Sequence, residues 1–363
     1  MAFTEAELRT LPKISLHDHL DGGLKPSTII ELADEIGYKL PANTPESLGN
    51  WFFESCQSGN LVDYLKTFDV TLAVMQTKKG LKQVAKDFVY NLAEDGVIWG
   101  EVRWAPEQHQ QQGLELDQIV EAVQSGIDEA IDELEGKGVT IGVGQLVSAM
   151  RQNNNAYEMA ELALRHRDRG VVGFDIAGPE AGFLPKLHRH AFTLLAKEHF
   201  PVTVHAGEAD GIKSINSALL HGRALRLGHG VRIMEDIKVE KGADVLSAEL
   251  GRTAAWVRDR GITLECSPTS NIQTGAFSQW GSTMAEHPIN LLYDLGFNVT
   301  INTDNRLMSN TTLSREMALL SEAFDYDLED FANFQLNAAS SAFVSLDVRE
   351  ELISTITDAY FGV

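Results

Sequence analysis

His17 and His19 stand two residues apart at the end of an apolar run, Ile14-Ser15-Leu16. Strand side chains alternate with period two, so both imidazoles project from one face and reach one ion. Three later strand-like runs also end in ligand-type or acid/base residues: His205-Ala206-Gly207-Glu208, Leu227-Gly228-His229-Gly230 and Asn302-Thr303-Asp304-Asn305. His17, His19, His205 and Asp304 together offer three imidazoles and one carboxylate. A catalytic zinc takes three or four N/O ligands and keeps one open position for water. The ligand types suit zinc and leave iron, cobalt or manganese open.

Glu208 follows His205 by three residues, just past a strand end. A carboxyl beside a water-poor metal pocket has a raised pKa and carries a proton at neutral pH. A salt bridge or a helix cap is the plainer role for it. His229 is not needed as a fifth ligand. It is placed to orient a water and take its proton, and its two flanking glycines let backbone approach closely. Two-metal sites on barrels use a modified Lys at the end of strand four. Here that strand ends Phe174-Asp175-Ile176-Ala177-Gly178, without Lys, which points to one metal.

The elements that position these residues are readable. Short apolar runs fall near Ile14–Leu20, Val97–Ala105, Val139–Ser148, Val171–Ala177, Pro201–Ala206, Ala224–Gly228, Ile262–Cys266 and Asn298–Asn302. Between them lie stretches with helical spacing: Leu81–Asp95, Leu116–Glu135, Asn155–Arg169, Leu187–Glu198, Ile212–Leu220, Ala243–Asp259, Pro288–Leu295 and Thr312–Phe324. Gly96, Gly138, Gly170, Gly261 and Gly296 follow helical stretches, where a left-handed cap is needed. Strands alternating with helices make parallel βα units, and eight such units close a (β/α)8 TIM barrel of mixed α/β class. An open doubly wound sheet needs a glycine-rich turn after its first strand. Asp21-Gly22-Gly23 does not supply one. In barrels the active site sits where the strands end, and the polar clusters fall there.

We therefore expect one barrel domain over residues 1–363, with a lid-like helical insertion at about 40–80 after strand one. In that insertion Leu61, Tyr64, Leu65 and Phe68 share one helical face. They either pack on the core or cover the site and exclude water. The charged stretch Ile233–Gly242 reads as a solvated loop.

Composition narrows the class. Thirty basic and fifty-two acidic residues give a net charge of −22. Such a surface argues against nucleic acid and anionic membranes, which need clustered Lys and Arg. The N-terminus lacks the apolar core of a signal peptide, and no apolar stretch is long enough to span a bilayer. Cys56 and Cys266 are the only cysteines, far apart in sequence, so a reducing, cytoplasmic setting is expected. Cys266 reads as a buried, inert thiol. His109, His166, His188, His190, His199, His221 and His287 have no partner at ligand spacing and read as solvent-facing or as structural hydrogen-bonders.

The motifs then resemble a family. His17-Asp18-His19-Leu20-Asp21-Gly22 is similar to the HxHLDG motif of the adenosine deaminases, within the amidohydrolase superfamily. His205-Ala206-Gly207-Glu208 resembles their HAGE and Leu227-Gly228-His229-Gly230 their LGHG. Ser267-Pro268-Thr269-Ser270-Asn271 resembles CPxSN, and Asn302-Thr303-Asp304 resembles NTDD. The resemblance implies a purine nucleoside deaminase with one Zn2+ held by His17, His19, His205 and Asp304. It implies that Glu208 protonates purine N1 and that His229 and Asp304 position and deprotonate the water. His19, Asp21, Gly178 and Asn305 would contact the substrate, with Asp21 on the ribose hydroxyl and the Gly178 amide on N3. Leu61, Tyr64, Leu65 and Phe68 would form the apolar gate. The implied partners are a small nucleoside and water.

Two residues depart from the family pattern. Ser267 replaces a Cys, and Asn305 replaces an Asp that faces purine N7. N7 only accepts a hydrogen bond; an Asn amide always donates, an Asp only when protonated. Related deaminases of adenine or aminodeoxyfutalosine often carry HLEG in the first motif, and the shorter Asp21 leaves room for a ribose. A non-catalytic nucleoside-binding barrel would lack a ligand or the acid, and this chain lacks neither.

Overall fold

The structure, a computed structural model, describes residues 2–241 and 246–362. Its strands, in chain order, are β1 Lys13–His19, β2 Val97–Trp104, β3 Gly142–Met150, β4 Val171–Ala177, β5 Thr203–Ala206 and β6 Arg226–His229. An antiparallel pair follows, β7 Ile237–Lys241 and β8 Leu246–Leu250, and then β9 Thr263–Cys266 and β10 Val299–Ile301. β1 to β4 form one parallel sheet; β5, β6, β9 and β10 form a second. Isolated parallel bridges join the edges, Phe174 to Val202 and Asp18 to Asp304. The eight parallel strands thus run round as the expected α/β barrel, each at the place its apolar run marks.

The seam between β1 and β10 decides the site. The His19 amide donates to the Asp304 carbonyl at 2.7 Å, and the Asp304 amide donates to the His17 carbonyl at 2.9 Å. The His17 amide also donates to Asn302 Oδ1 at 3.0 Å, so strand segments 285 residues apart in sequence are pinned side by side. Beside the seam, β1 slips register against β2 between Ser15 and Asp18. Irregularities of this kind re-aim side chains next to active sites.

Apolar residues fill the space between barrel and helices, among them Leu16, Val102, Phe174, Val204, Leu264 and Ile301, all buried. The barrel centre is charged instead. Arg226 Nε donates to Glu265 Oε1 at 2.6 Å, and Arg103 Nη2 donates to Glu265 Oε2 at 2.7 Å. Taking one partner from such a buried network costs about 3–5 kcal/mol, because the other is left as an unpaired charge.

Residues 24–95 form five helices: Pro26–Ile36, Pro45–Ser55, Leu61–Leu65, Phe68–Val74 and Lys78–Glu94. The expected single face over Leu61 to Phe68 is shared by two short helices, which meet at Thr67. The Thr67 hydroxyl donates to the Tyr64 carbonyl at 2.8 Å.

Two expectations are corrected. Ile233–Gly242 is no solvated loop: Val231–Asp236 is a 3₁₀ turn and Ile237–Lys241 is a strand, with Ile233 and Ile237 buried. Gly242 lies outside the described residues. The helix expected over Ala243–Asp259 runs only from Arg252 to Asp259. Leu246–Leu250 pairs with β7 instead, and extended Gly251 separates strand from helix. Residues 243–245 lie outside the described residues. Among the described residues no helix is long and apolar enough to cross a membrane.

Candidate active site

Each cluster sits where its strand ends. His17 and His19 come from β1, His205 from β5, His229 from β6 and Asp304 from the turn after β10. His229 and Asp304 both take left-handed backbone, with φ of 68° and 59°. Non-glycine residues held there are strained and collect at functional sites. Gly228 explains the close packing around them. A Cβ on it would meet His17 Cε1 and His205 Cα at 3.1 Å.

Ligand atoms of His17, His19, His205 and Asp304 all lie within 4.8 Å of one another. His19 Nε2 faces His205 Nε2 at 3.2 Å. Asp304 Oδ1 is 3.2 Å from His17 Nε2 and 3.3 Å from His19 Nε2. His17 Nε2 is buried and has no hydrogen-bond partner. Burial pushes His19 and His205 below the ordinary imidazole pKa, so their lone pairs are free. Converging lone pairs repel unless a cation lies among them. The donor set therefore fits a divalent metal.

The rings are held from behind. His17 Nδ1 lies 3.1 Å from Glu265 Oε2. His205 Nδ1 lies 2.8 Å from Asp175 Oδ2, and the His205 amide donates to Asp175 Oδ1 at 3.2 Å. Burial opposes charge on Asp175, but His205 and Arg103 hold its pKa at about 2. Carboxylates behind ligating imidazoles fix their orientation and raise their basicity. Asp304 Oδ2 accepts from Ser270 Oγ at 2.6 Å, leaving Oδ1 to the cluster.

Glu208, His229 and Asp304 form a second group that shares Asp304. Glu208 is buried, and its Oε1 has no partner. Burial raises its pKa well above the usual carboxylate range, and the charges of Asp304 and Glu180 add to the rise. Glu180 accepts the amides of Gly207, Glu208, Ala209 and Asp210 at 2.6–3.0 Å, so it shapes the turn that carries Glu208.

Asp21, Gly178, Asn305, Leu61, Tyr64, Leu65 and Phe68 line one pocket with His19, His205, Glu208, His229 and Asp304. His17 lies wholly buried beneath it. Burial pushes Asp21 up to about 7, and its Oδ1 has no partner. The structure thus places the expected ligand, acid/base, substrate-contact and gate residues in or against one pocket. The supports Glu265, Asp175, Glu180 and Ser270 carry no role readable from residue type. Their signal was weak: a carboxylate inside an otherwise apolar strand for Glu265 and Asp175, nothing local for Glu180.

The other histidines are hydrogen-bonded as expected where buried: His109 to the Met75 carbonyl, His166 to Asp117 and His188 to the Arg151 carbonyl. Cys56 and Cys266 are buried, unpaired thiols, and burial raises the pKa of both.

Comparison with known proteins decides the family. The family model described as adenosine deaminase matches residues 12–359. The chain belongs to the adenosine deaminase family. It is 51% identical over 350 residues to adenosine deaminase 1 of Streptomyces coelicolor, covering 96% of this chain and 87% of that protein. In fold it is similar to an adenine deaminase from Arthrobacter aurescens, with a TM-score of 0.81 at 22% identity over 96% of this chain and 98% of the other. It is also similar in fold to a Burkholderia ambifaria amidohydrolase solved with bound Zn, with a TM-score of 0.84 at 21% identity over 100% of this chain and 94% of the other. The adenosine deaminase family thus accounts for the barrel and for the order of the clusters along it.

Proposed function

We propose that the protein hydrolyses adenosine and 2′-deoxyadenosine to inosine and 2′-deoxyinosine with release of ammonia. The observation that carries this is Glu208: a buried carboxyl whose pKa burial raises well above the usual carboxylate range, with a free oxygen beside four converging ligand-type side chains. His17, His19, His205 and Asp304 would hold one zinc. Such an ion, when bound, lowers the pKa of a water from 15.7 towards about 7.

The chain's own residues do the rest. Glu208 gives its proton to purine N1, which makes C6 electrophilic. His229 and Asp304 position the water, and one of the two receives the proton it loses. The water oxygen bonds to C6, the amino nitrogen takes up the proton the water lost, the C6–N bond breaks and ammonia departs, and the C6 hydroxyl proton returns to the Glu208 carboxylate. Asp21 takes the ribose hydroxyl, the Gly178 amide meets N3, and the Asn305 amide donates to N7. Leu61, Tyr64, Leu65 and Phe68 close over the base and keep bulk water out. The two buried thiols suit a cytoplasmic setting.

The test is a deamination screen of the zinc-loaded enzyme on adenosine, deoxyadenosine, adenine, AMP and aminodeoxyfutalosine. The two nucleosides should turn over fastest. Preference for any of the other three, or no turnover of any, would overturn the assignment.

A further inference from the structure

A chain of hydrogen bonds runs from a backbone amide to the site. The Ile289 amide donates to His287 Nδ1 at 3.0 Å. His287 Nε2 lies 3.2 Å from Asn271 Oδ1, and Asn271 Nδ2 lies 3.0 Å from His229 Nδ1. The polarity of the whole chain follows from its first link, because a peptide N–H can only donate. His287 Nδ1 must accept, so the ring hydrogen of a neutral His287 is on Nε2. That hydrogen needs an acceptor, which fixes Asn271 with Oδ1 towards His287. Asn271 Oδ1 is also the atom that faces the Ser267 amide, at 3.4 Å. A reversed Asn271 would set its amide hydrogens against two donors. Asn271 Nδ2 therefore donates to His229 Nδ1, and His229 carries its hydrogen on Nε2. His287 stays neutral because burial pushes its pKa down to about 3, and the Phe277 ring packs against it edge-on at 4.7 Å.

We propose that Asn271 and His287 are positioning residues that hold His229 as the Nε2–H imidazole, so that His229 donates to the reacting groups and does not take the water's proton. The neighbouring atoms agree. His229 Nε2 faces Glu208 Oε2 at 3.5 Å, while Glu208 Oε1 has no partner. An N–H beside Oε2 leaves the acid hydrogen of Glu208 on Oε1, the oxygen free to meet the base. The proton that leaves the water then goes to Asp304. This assignment of roles rests on the proposed deamination; the tautomer itself does not.

The test reads the tautomer directly. Long-range ¹H–¹⁵N spectra of histidine-labelled, zinc-loaded protein are recorded, with His229 assigned from its absence in His229→Gln. The expected spectrum shows His229 protonated at Nε2 and bare at Nδ1. In Asn271→Asp a carboxylate replaces the donor, and the hydrogen should move to Nδ1. With it kcat should fall steeply, towards the roughly 10⁴-fold loss that a wrong tautomer costs a serine protease, with KM and zinc content near wild type. His287→Gln keeps an acceptor and a donor in the same order and should retain both tautomer and kcat, whereas His287→Leu should lose them. A wild-type His229 protonated at Nδ1 overturns the proposal, even should every variant misfold. A spectrum as expected from an enzyme inactive on adenosine keeps the tautomer and rejects the deaminase reading.

Discussion

Glu265 Oε2 lies 3.1 Å from His17 Nδ1, and both side chains are wholly buried. The same oxygen accepts from Arg103 Nη2 at 2.7 Å, so one carboxylate ties a metal-facing imidazole to the charged barrel centre. Replacing Glu265 by Gln keeps the shape and removes the charge. Zinc affinity should fall roughly 10–100-fold, as for other outer-shell partners of ligating histidines. Stability should fall by about 3–5 kcal/mol, because Arg103 and Arg226 lose a buried counter-charge. Chelator competition and urea unfolding measure the two effects. Unchanged zinc affinity would show that Glu265 serves the fold alone.

Glu208→Gln should fold, keep zinc and bind inosine, yet lose about 10²–10⁴-fold in kcat, the usual share of a general acid. Glutamine fills the same space but has no proton to give to N1. The pH dependence has a definite sign. Burial, Asp304 and Glu180 raise the Glu208 pKa, so the protonated form persists to higher pH than for an ordinary carboxyl and disappears as pH rises through that raised pKa. The wild-type kcat/KM profile should therefore fall on its alkaline side, and the variant should lack that limb. Near-normal turnover in Glu208→Gln would remove Glu208 from the mechanism.

Asn305 packs against Gly22: a Cβ on Gly22 would sit 1.9 Å from Asn305 Oδ1. Glycine there gives the amide oxygen room, and under the proposed function Nδ2 is the atom left to donate towards purine N7. Asn305→Asp should lower kcat/KM on adenosine more at high pH than at low pH, because only the protonated acid donates. Gly22→Ala should displace the Asn305 amide and raise KM at every pH. Steady-state kinetics across pH on both variants test this. A profile for Asn305→Asp parallel to wild type would sever Asn305 from N7.

What the sequence revealed and what it hid divide along physical lines. His17, His19, His205 and Asp304 were legible because strand periodicity and the barrel's open end put their positions in local sequence. The eight strands were legible for the same reason. The stretch from Ile233 to Leu250 was not, because its charged, alternating residues fit a loop or a helix until β7 and β8 are seen to pair. Glu180 was hidden for a different reason. Its four amide partners lie 27–30 residues away and nothing local marks it. The order of donors from Ile289 to His229 was equally hidden, since it depends on contacts between a strand end and two helices distant from it in sequence.

His109 ties the insertion to the barrel and makes that tie acid-sensitive. Its Nδ1 lies 3.1 Å from the carbonyl of Met75, the residue that ends helix Phe68–Val74, and its ring tilts against Trp104. Burial pushes its pKa from 6.5 to about 4. The folded pKa lies below the unfolded one, so this stability is present above pH 6.5 and is lost as pH falls towards 4. The full loss is about 3 kcal/mol. Between pH 7 and 5 it should reach about 2 kcal/mol. In His109→Gln the amide still donates to the Met75 carbonyl but does not titrate. Groups that titrate identically in both proteins cancel in the difference. Urea unfolding at pH 7 and pH 5 should therefore show wild type losing about 2 kcal/mol more than the variant. Equal losses would mean that His109 takes up its proton without leaving Met75, and that the insertion is anchored elsewhere.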